Sequence, residues 1–218
     1  MKIFADKTEF VQTSLELIKQ TSDESIARNN IFRIVLAGGN TPKDVYKELR
    51  NLETTWNAWR FYFGDERCLP KGHPESNGKM AEEALLDHIP IQKKQVYKIQ
   101  SYLGAREASI RYNETLKDVS GFDLVLLGLG EDGHTASLFP GNDLGEQDNS
   151  PDVLPVFNSP KSPAERITLS VRCLKRTSQI MFLVSGKEKK EILQKVLQTD
   201  NLPASKFKGD KTKIYYLE

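Results

Sequence analysis

Apolar residues along this chain come in short unbroken runs separated by stretches with helical spacing. IFRIVLA at 31–37, WRFYF at 59–63 and LVLL at 124–127 have the pattern of strands buried on both faces. Residues 96–99, 166–171, 180–185 and 214–217 add four further candidate strands. Between the runs, Val11, Leu15 and Ile18 recur at helical spacing within 7–20, and Tyr46 and Leu49 do so after Thr41. Met80, Ala84 and Leu85 mark a helix over 77–88, and 105–116 and 187–197 read as two more. Strand and helix alternate, which predicts an α/β fold with a mostly parallel sheet covered by helices on both faces. Residues 142–165 hold Pro151, Pro155, Pro160 and Pro163 and show no period, so an irregular, functional or mobile loop is expected there. No linker or repeat divides the chain, and residues 1–218 read as a single domain.

Three strand ends carry unusual chemistry. After the first long run come Gly38, Gly39 and Asn40, then Thr41 as the expected N-cap, Pro42 as the first helical residue and Asp44 in the first turn. Backbone N–H groups converging at such a helix start can cradle a phosphate. The plainer reading is a tight strand-to-helix turn. GxxxxGK[ST] is absent, so this is not a Walker loop. The second strand runs into GDER, residues 64–67. There Arg67 could hold a phosphate or carboxylate in a fork and Asp65 could accept a sugar hydroxyl, against the alternative of a solvated charged loop.

The third strand end is FDLVLLGLGEDGHTASLFPG, residues 122–141. Its Gly128, Gly130 and Gly133 match GxGxxG, but Pro140-Gly141 cuts short any following helix and no acidic ribose ligand follows. The glycines therefore read as shaping a loop that holds Asp132 and His134. An imidazole with an ordinary pKa of ~6.5 is suited to general-base work at neutral pH. His73 and His88 sit in a polar loop and at a helix end. Lys187, Lys189 and Lys190 open the last long helix, where the dipole disfavours cations. That mismatch hints that one of them faces an anion.

Composition narrows the classes. Lys and Arg total 31 against 30 Asp and Glu, a balance that argues against nucleic acid or an anionic membrane as partner. Cys68 and Cys173 are expected as free thiols in a reducing cytosol. The first ten residues lack the apolar core of a signal peptide and no run approaches a membrane span, so a cytoplasmic protein is expected. No HExxH, CxxC or GxSxG is present, and neither a metal site nor a serine nucleophile is expected.

Taken in order, LAGGNTP, GDER, ESNG, GLGEDGHTASLFPG, SPKSPAERITLS and LVSGKEKKEIL make the chain resemble the 6-phosphogluconolactonases, within the larger glucosamine-6-phosphate isomerase/lactonase group. The resemblance implies a three-layer α/β/α sandwich and hydrolysis of 6-phospho-D-glucono-1,5-lactone in the oxidative pentose phosphate pathway. It implies no metal or organic cofactor, and a functional link to glucose-6-phosphate dehydrogenase as the lactone source. It places His134 as general base with Asp132 orienting it or favouring its cationic form. Gly38, Gly39, Asn40 and Thr41 fall on the phosphate side, and Arg67 and Lys189 among the phosphate or substrate ligands. Asp65, Gly130, Gly133 and Arg166 complete the candidate substrate-binding set. N–H groups of the glycine loop are candidates to stabilise a tetrahedral oxyanion. Two departures from the group matter: Phe139 stands where the isomerase branch has an acid, and Ala37 and Asn40 replace side chains usual around the glycine pair. An isomerase or deaminase, and a non-catalytic phosphosugar sensor, are the alternatives; the first lacks its acid and the second has no need of His134.

Overall fold

The computed structural model describes residues 1–218. In chain order its elements are β1 (Lys2–Phe4), α1 (Lys7–Asn29), β2 (Phe32–Leu36), α2 (Asn40–Leu49), β3 (Trp59–Phe63), β4 (Asp65–Arg67), α3 (Asn77–Ala84) and β5 (Val96–Tyr97). Then follow α4 (Ala105–Leu116), β6 (Phe122–Leu127), β7 (Val153–Val156), β8 (Arg166–Leu169), α5 (Val171–Lys175), β9 (Thr177–Ser185), α6 (Lys190–Gln198) and β10 (Thr212–Leu217). Seven strands form one parallel sheet in the order β1-β10-β9-β6-β2-β3-β5, layered between helices. All six residues of β6 are buried, as its unbroken apolar run requires of a central strand covered on both faces. Each fully buried Leu, Val or Phe there contributes about 1.5–3 kcal/mol.

A second, antiparallel sheet, β4-β8-β7, branches from the first at Gly64. The Gly64 N–H donates to the Leu36 carbonyl at 3.0 Å and its own carbonyl accepts from Leu169 N–H at 2.8 Å, which joins the two sheets. β7 lies inside the stretch expected to be irregular. Its Pro155 masks the strand in the sequence, yet proline is tolerated on β7 because that strand is an edge. The expected strand over 166–171 stops at Leu169, because the Ser170 hydroxyl accepts the Cys173 N–H at 3.1 Å and starts α5.

Other boundaries move for local reasons. α1 runs nine residues past the expected end, since its buried face continues through Ser22 and Ser25 rather than through apolar side chains. The Ser22 hydroxyl is satisfied by the Lys19 carbonyl at 2.8 Å. α2 begins at Asn40, not after Thr41: Gly39, at φ 102°, is its N-cap and Lys43 N–H closes the first turn on the Gly39 carbonyl at 3.2 Å. Pro42 then sits third, where a missing N–H still costs nothing. Asp44 lies beyond the first turn and pairs with Lys7 at 2.6 Å. β1 was not foreseen from its three-residue pattern, and the helix expected over 77–88 ends at Ala84 before a 3₁₀ turn at Leu86–His88. No helix is long and apolar enough to cross a membrane.

Candidate active site

β2 and β6 are neighbours at the centre of the large sheet, but the chain leaves them in opposite directions, from β2 toward β3 and from β6 toward β9. Open parallel sheets place their ligand crevice at such a divergence, outside the carboxyl ends of the strands. A cleft of about 500 Å³ opens there. Its walls include Gly38, Gly39, Asn40 and Thr41 from the β2–α2 turn, and Gly130 and His134 from the loop after β6. Asp65 and Arg67 of β4, Arg166 of β8 and Lys189 before α6 complete them. Ten of the twelve sequence-derived candidates thus share one cleft; Asp132 and Gly133 stand behind its wall.

The β2–α2 turn is held from below by Tyr46. Its hydroxyl donates to the Ala37 carbonyl and accepts the Ala37 N–H, both at 2.9 Å. The N–H groups of Gly38, Gly39 and Asn40 make no hydrogen bond within the protein and stand at the positive end of α2. The Thr41 side chain does not cap the helix; its hydroxyl bonds Ser185 Oγ at 2.6 Å, linking the turn to the end of β9. Lys189 lies on this side, its side chain only 15% exposed and 3.6 Å from Glu131. Lys190 pairs with Glu218 instead, so Lys189 is the lysine of the three that faces the cleft.

β4 explains GDER through strand alternation. Asp65 and Arg67 face the cleft, whereas the buried Glu66 points away and accepts the N–H groups of Arg67, Asn77 and Gly78 and the Ser76 hydroxyl. Burial raises the Glu66 pKa, opposed by those bonds. Asp65, also buried, accepts the Ser137 hydroxyl at 2.6 Å and the Asn77 amide at 3.0 Å. Arg67 donates to the Glu75 carbonyl at 2.6 Å and keeps a buried Nε without a partner. Arg166 donates to the carbonyls of Lys161, Ser162 and Pro163 at 3.0, 3.1 and 3.2 Å, which ties the segment before β8 to the cleft rim.

His134 is clamped on three sides. A β-carbon at Gly130 would lie 2.0 Å from its ring, so the imidazole rests on that glycine. The Phe139 ring packs 4.7 Å away, centroid to centroid, with the Arg166 guanidinium 5.6 Å from the Phe139 centroid. Nδ1 meets Asp132 Oδ1, which also accepts the His134 N–H at 3.1 Å. Burial raises the Asp132 pKa, but the bonds from His134 outweigh it and hold the carboxyl below its usual range. An ionised carboxylate can only accept, so Nδ1 carries the proton and Nε2 presents its lone pair. Burial pushes the His134 pKa below its ordinary value, against the opposing bond and charge of Asp132; the Lys161 charge lowers it further. The ring is therefore neutral at pH 7.

Two N–H groups of the glycine loop are used within the protein. Gly130 N–H donates to the His134 carbonyl at 2.8 Å and Gly133 N–H to the Gly130 carbonyl at 3.1 Å. Both groups are spent on closing the loop around His134, so neither is an oxyanion donor. Gly133 turns at φ 82° beneath Leu202. Asn77, Ser137, Lys161 and Ser185 were not among the candidates. Asn77 and Lys161 lie in the ESNG and SPKSP stretches, but nothing in their spacing announces a role.

Residues 5–216 match the family described as glucosamine-6-phosphate isomerases/6-phosphogluconolactonase. A 6-phosphogluconolactonase of Thermotoga maritima is 31% identical over 209 residues, covering 95% of this chain and 94% of that one. The chloroplastic 6-phosphogluconolactonase 3 of Arabidopsis thaliana is 32% identical over 90% of this chain, which spans 66% of that relative's length. This chain spans 61% of the corresponding Oryza sativa proteins. The crystal structure of the Thermotoga maritima 6-phosphogluconolactonase superposes with a TM-score of 0.90 at 29% identity, covering 99% of this chain and 97% of that one. The Trypanosoma brucei enzyme gives 0.87 at 28%, covering 99% and 94%.

Proposed function

The chain belongs to the glucosamine-6-phosphate isomerase/6-phosphogluconolactonase family, and from that premise we propose that it hydrolyses 6-phospho-D-glucono-1,5-lactone to 6-phospho-D-gluconate. The observation that carries the reading is the imidazole of His134, its Nδ1 engaged by Asp132 and its ring lining the cleft. In this mechanism Nε2 takes a proton from water as the water oxygen bonds to the lactone carbonyl carbon. The imidazolium then returns the proton to the ring oxygen as the carbon–oxygen bond breaks. Asp132 fixes the tautomer and stabilises the cation between the two steps. Acid–base help of this kind contributes roughly 10²–10⁴-fold.

The other half of the cleft suits the phosphate. The N–H groups of Gly38, Gly39 and Asn40 and the start of α2 form an anion cradle, with Lys189 and the Arg67 fork as its cations. Held there, the phosphate fixes the lactone relative to His134, and such orientation supplies much of a rate enhancement. Asp65 accepts a sugar hydroxyl in this arrangement. An isomerase or deaminase is disfavoured because the buried Phe139 ring, not a carboxylate, packs on His134. The proposal includes a cytoplasmic setting, though the plant relatives are chloroplastic, and supply of the lactone by glucose-6-phosphate dehydrogenase.

The test is a coupled assay of lactone hydrolysis with the spontaneous background subtracted, comparing wild type with His134→Ala. Loss of the enzymatic rate with retained 6-phosphogluconate binding is expected. A folded variant hydrolysing at the wild-type rate would remove His134 as the base.

A further inference from the structure

Ser137 stands three residues after His134, behind the cleft wall, and is 1% exposed. Its hydroxyl donates to Asp65 Oδ2 at 2.6 Å, the short distance of a hydroxyl on a carboxylate. Its N–H donates to Thr168 Oγ1 at 3.3 Å. Asp65 and Thr168 are direct partners across β4 and β8. Ser137 therefore seats the loop that carries His134 on one rung of the small sheet. The backbone turns sharply to allow this. Leu138 N–H donates to the Thr135 carbonyl at 3.0 Å, and Ala136 between them sits at φ 50°, left-handed backbone that disfavours alanine. Such a conformation persists where the surrounding bonds hold it.

The same carboxylate reaches the other end of the cleft. Asp65 Oδ1 accepts the Asn77 amide at 3.0 Å, and that amide packs on Gly38 of the β2–α2 turn. Ser137, Asp65 and Asn77 are all buried. They form a continuous path from the loop of the base to the turn assigned to the phosphate. The N–H groups of Gly130 and Gly133 and the Thr135 hydroxyl donate back into the glycine loop, so none of them sets that loop against the phosphate side.

We propose that Ser137 is a positioning residue for the hydrolysis: through Asp65 and Asn77 it fixes His134 at the distance from the phosphate cradle that the bound lactone requires. This rests on the lactonase reading above. A base displaced by about 1 Å can lose 10²-fold in rate, whereas phosphate binding does not depend on where the imidazole stands. Ser137 does not line the cleft, so its effect passes through His134 and Asp65.

The test separates rate, affinity and local order. Ser137→Ala should lower kcat about 10–100-fold in the background-subtracted assay, with 6-phosphogluconate affinity near wild type by calorimetry. Ser137→Cys, close to serine in volume but a weak donor, should fall with the alanine variant; a wild-type rate there would leave Ser137 a packing role alone. Hydrogen exchange reads the tie without any substrate: in Ser137→Ala the amides at 137 and 138 should lose protection while those of β6 keep theirs. A folded Ser137→Ala with wild-type kcat overturns the proposal, as does a fall in kcat matched by an equal loss of 6-phosphogluconate affinity. A wild-type protein that does not hydrolyse the lactone refutes the lactonase reading instead, and unchanged protection at 137 and 138 refutes the tie itself.

Discussion

The side-chain amide of Asn77 occupies the space that a β-carbon at Gly38 would need, with its Oδ1 2.0 Å from that point. Asn77 cannot swing aside cheaply, because it is buried and its Nδ2 donates to both the carbonyl and the carboxylate of Asp65 at 3.0 Å. Gly38→Ala should therefore disturb Asp65 as well as the turn. The expected cost is about 1–3 kcal/mol of stability, read by thermal or urea unfolding. kcat/KM should fall further than the global destabilisation explains.

The pH profile should report His134. Its pKa lies below the ordinary histidine value, so the base is unprotonated at pH 7 and kcat/KM should fall only as pH drops through that lowered pKa. Asp132 opposes the lowering, so in Asp132→Asn the acid limb should move to still lower pH while the plateau rate drops with the loss of the fixed tautomer. An acid limb moving upward in that variant would contradict the assigned pairing.

Phe139 should tune the same group from the other side. Its ring shields His134 from water. Phe139→Leu removes part of that cover, and the acid limb should shift up toward the ordinary histidine value. A stability loss of about 1–3 kcal/mol should accompany it. A profile that stays in place, in a variant that unfolds earlier, would assign Phe139 a packing role alone.

If Arg67 holds the phosphate as proposed, Arg67→Ala should raise KM and weaken 6-phosphogluconate about 10–100-fold, with kcat less affected, through loss of a charged contact. Unchanged affinity would remove Arg67 from the proposed phosphate clamp.

The sequence exposes what depends on unbroken patterns. The apolar runs that became β2, β3 and β6 are plain, as are their glycine-rich ends, and together they place the cleft. Hidden features are those that rest on pairing across the fold. Asp65 and Ser137 meet across 72 positions, and neither residue announces the other. β4 looks like a charged loop until it pairs with β8, and only that pairing sends Asp65 and Arg67 to one face and Glu66 to the other. β7 is concealed by its proline, and the last turns of α1 by Ser22 and Ser25, whose hydroxyls donate to the Lys19 and Ile31 carbonyls. The oxyanion role expected of the glycine loop loses two of its donors, Gly130 and Gly133, for a related reason: a glycine pattern says that the backbone can turn, not where its N–H groups are spent.

The placement of β10 bears on how a newly made chain reaches this form. β1 pairs only with β10, in parallel, so the first strand waits for residues 212–217 before it can join the sheet. Contacts of such sequence separation are closed late and slowly. During synthesis the loops bearing Gly38 and His134 are made long before the sheet is complete, leaving the β9 edge open to other chains. Aggregation during expression should therefore respond more to substitutions in β10 than to equally destabilising ones in β5, at the far edge.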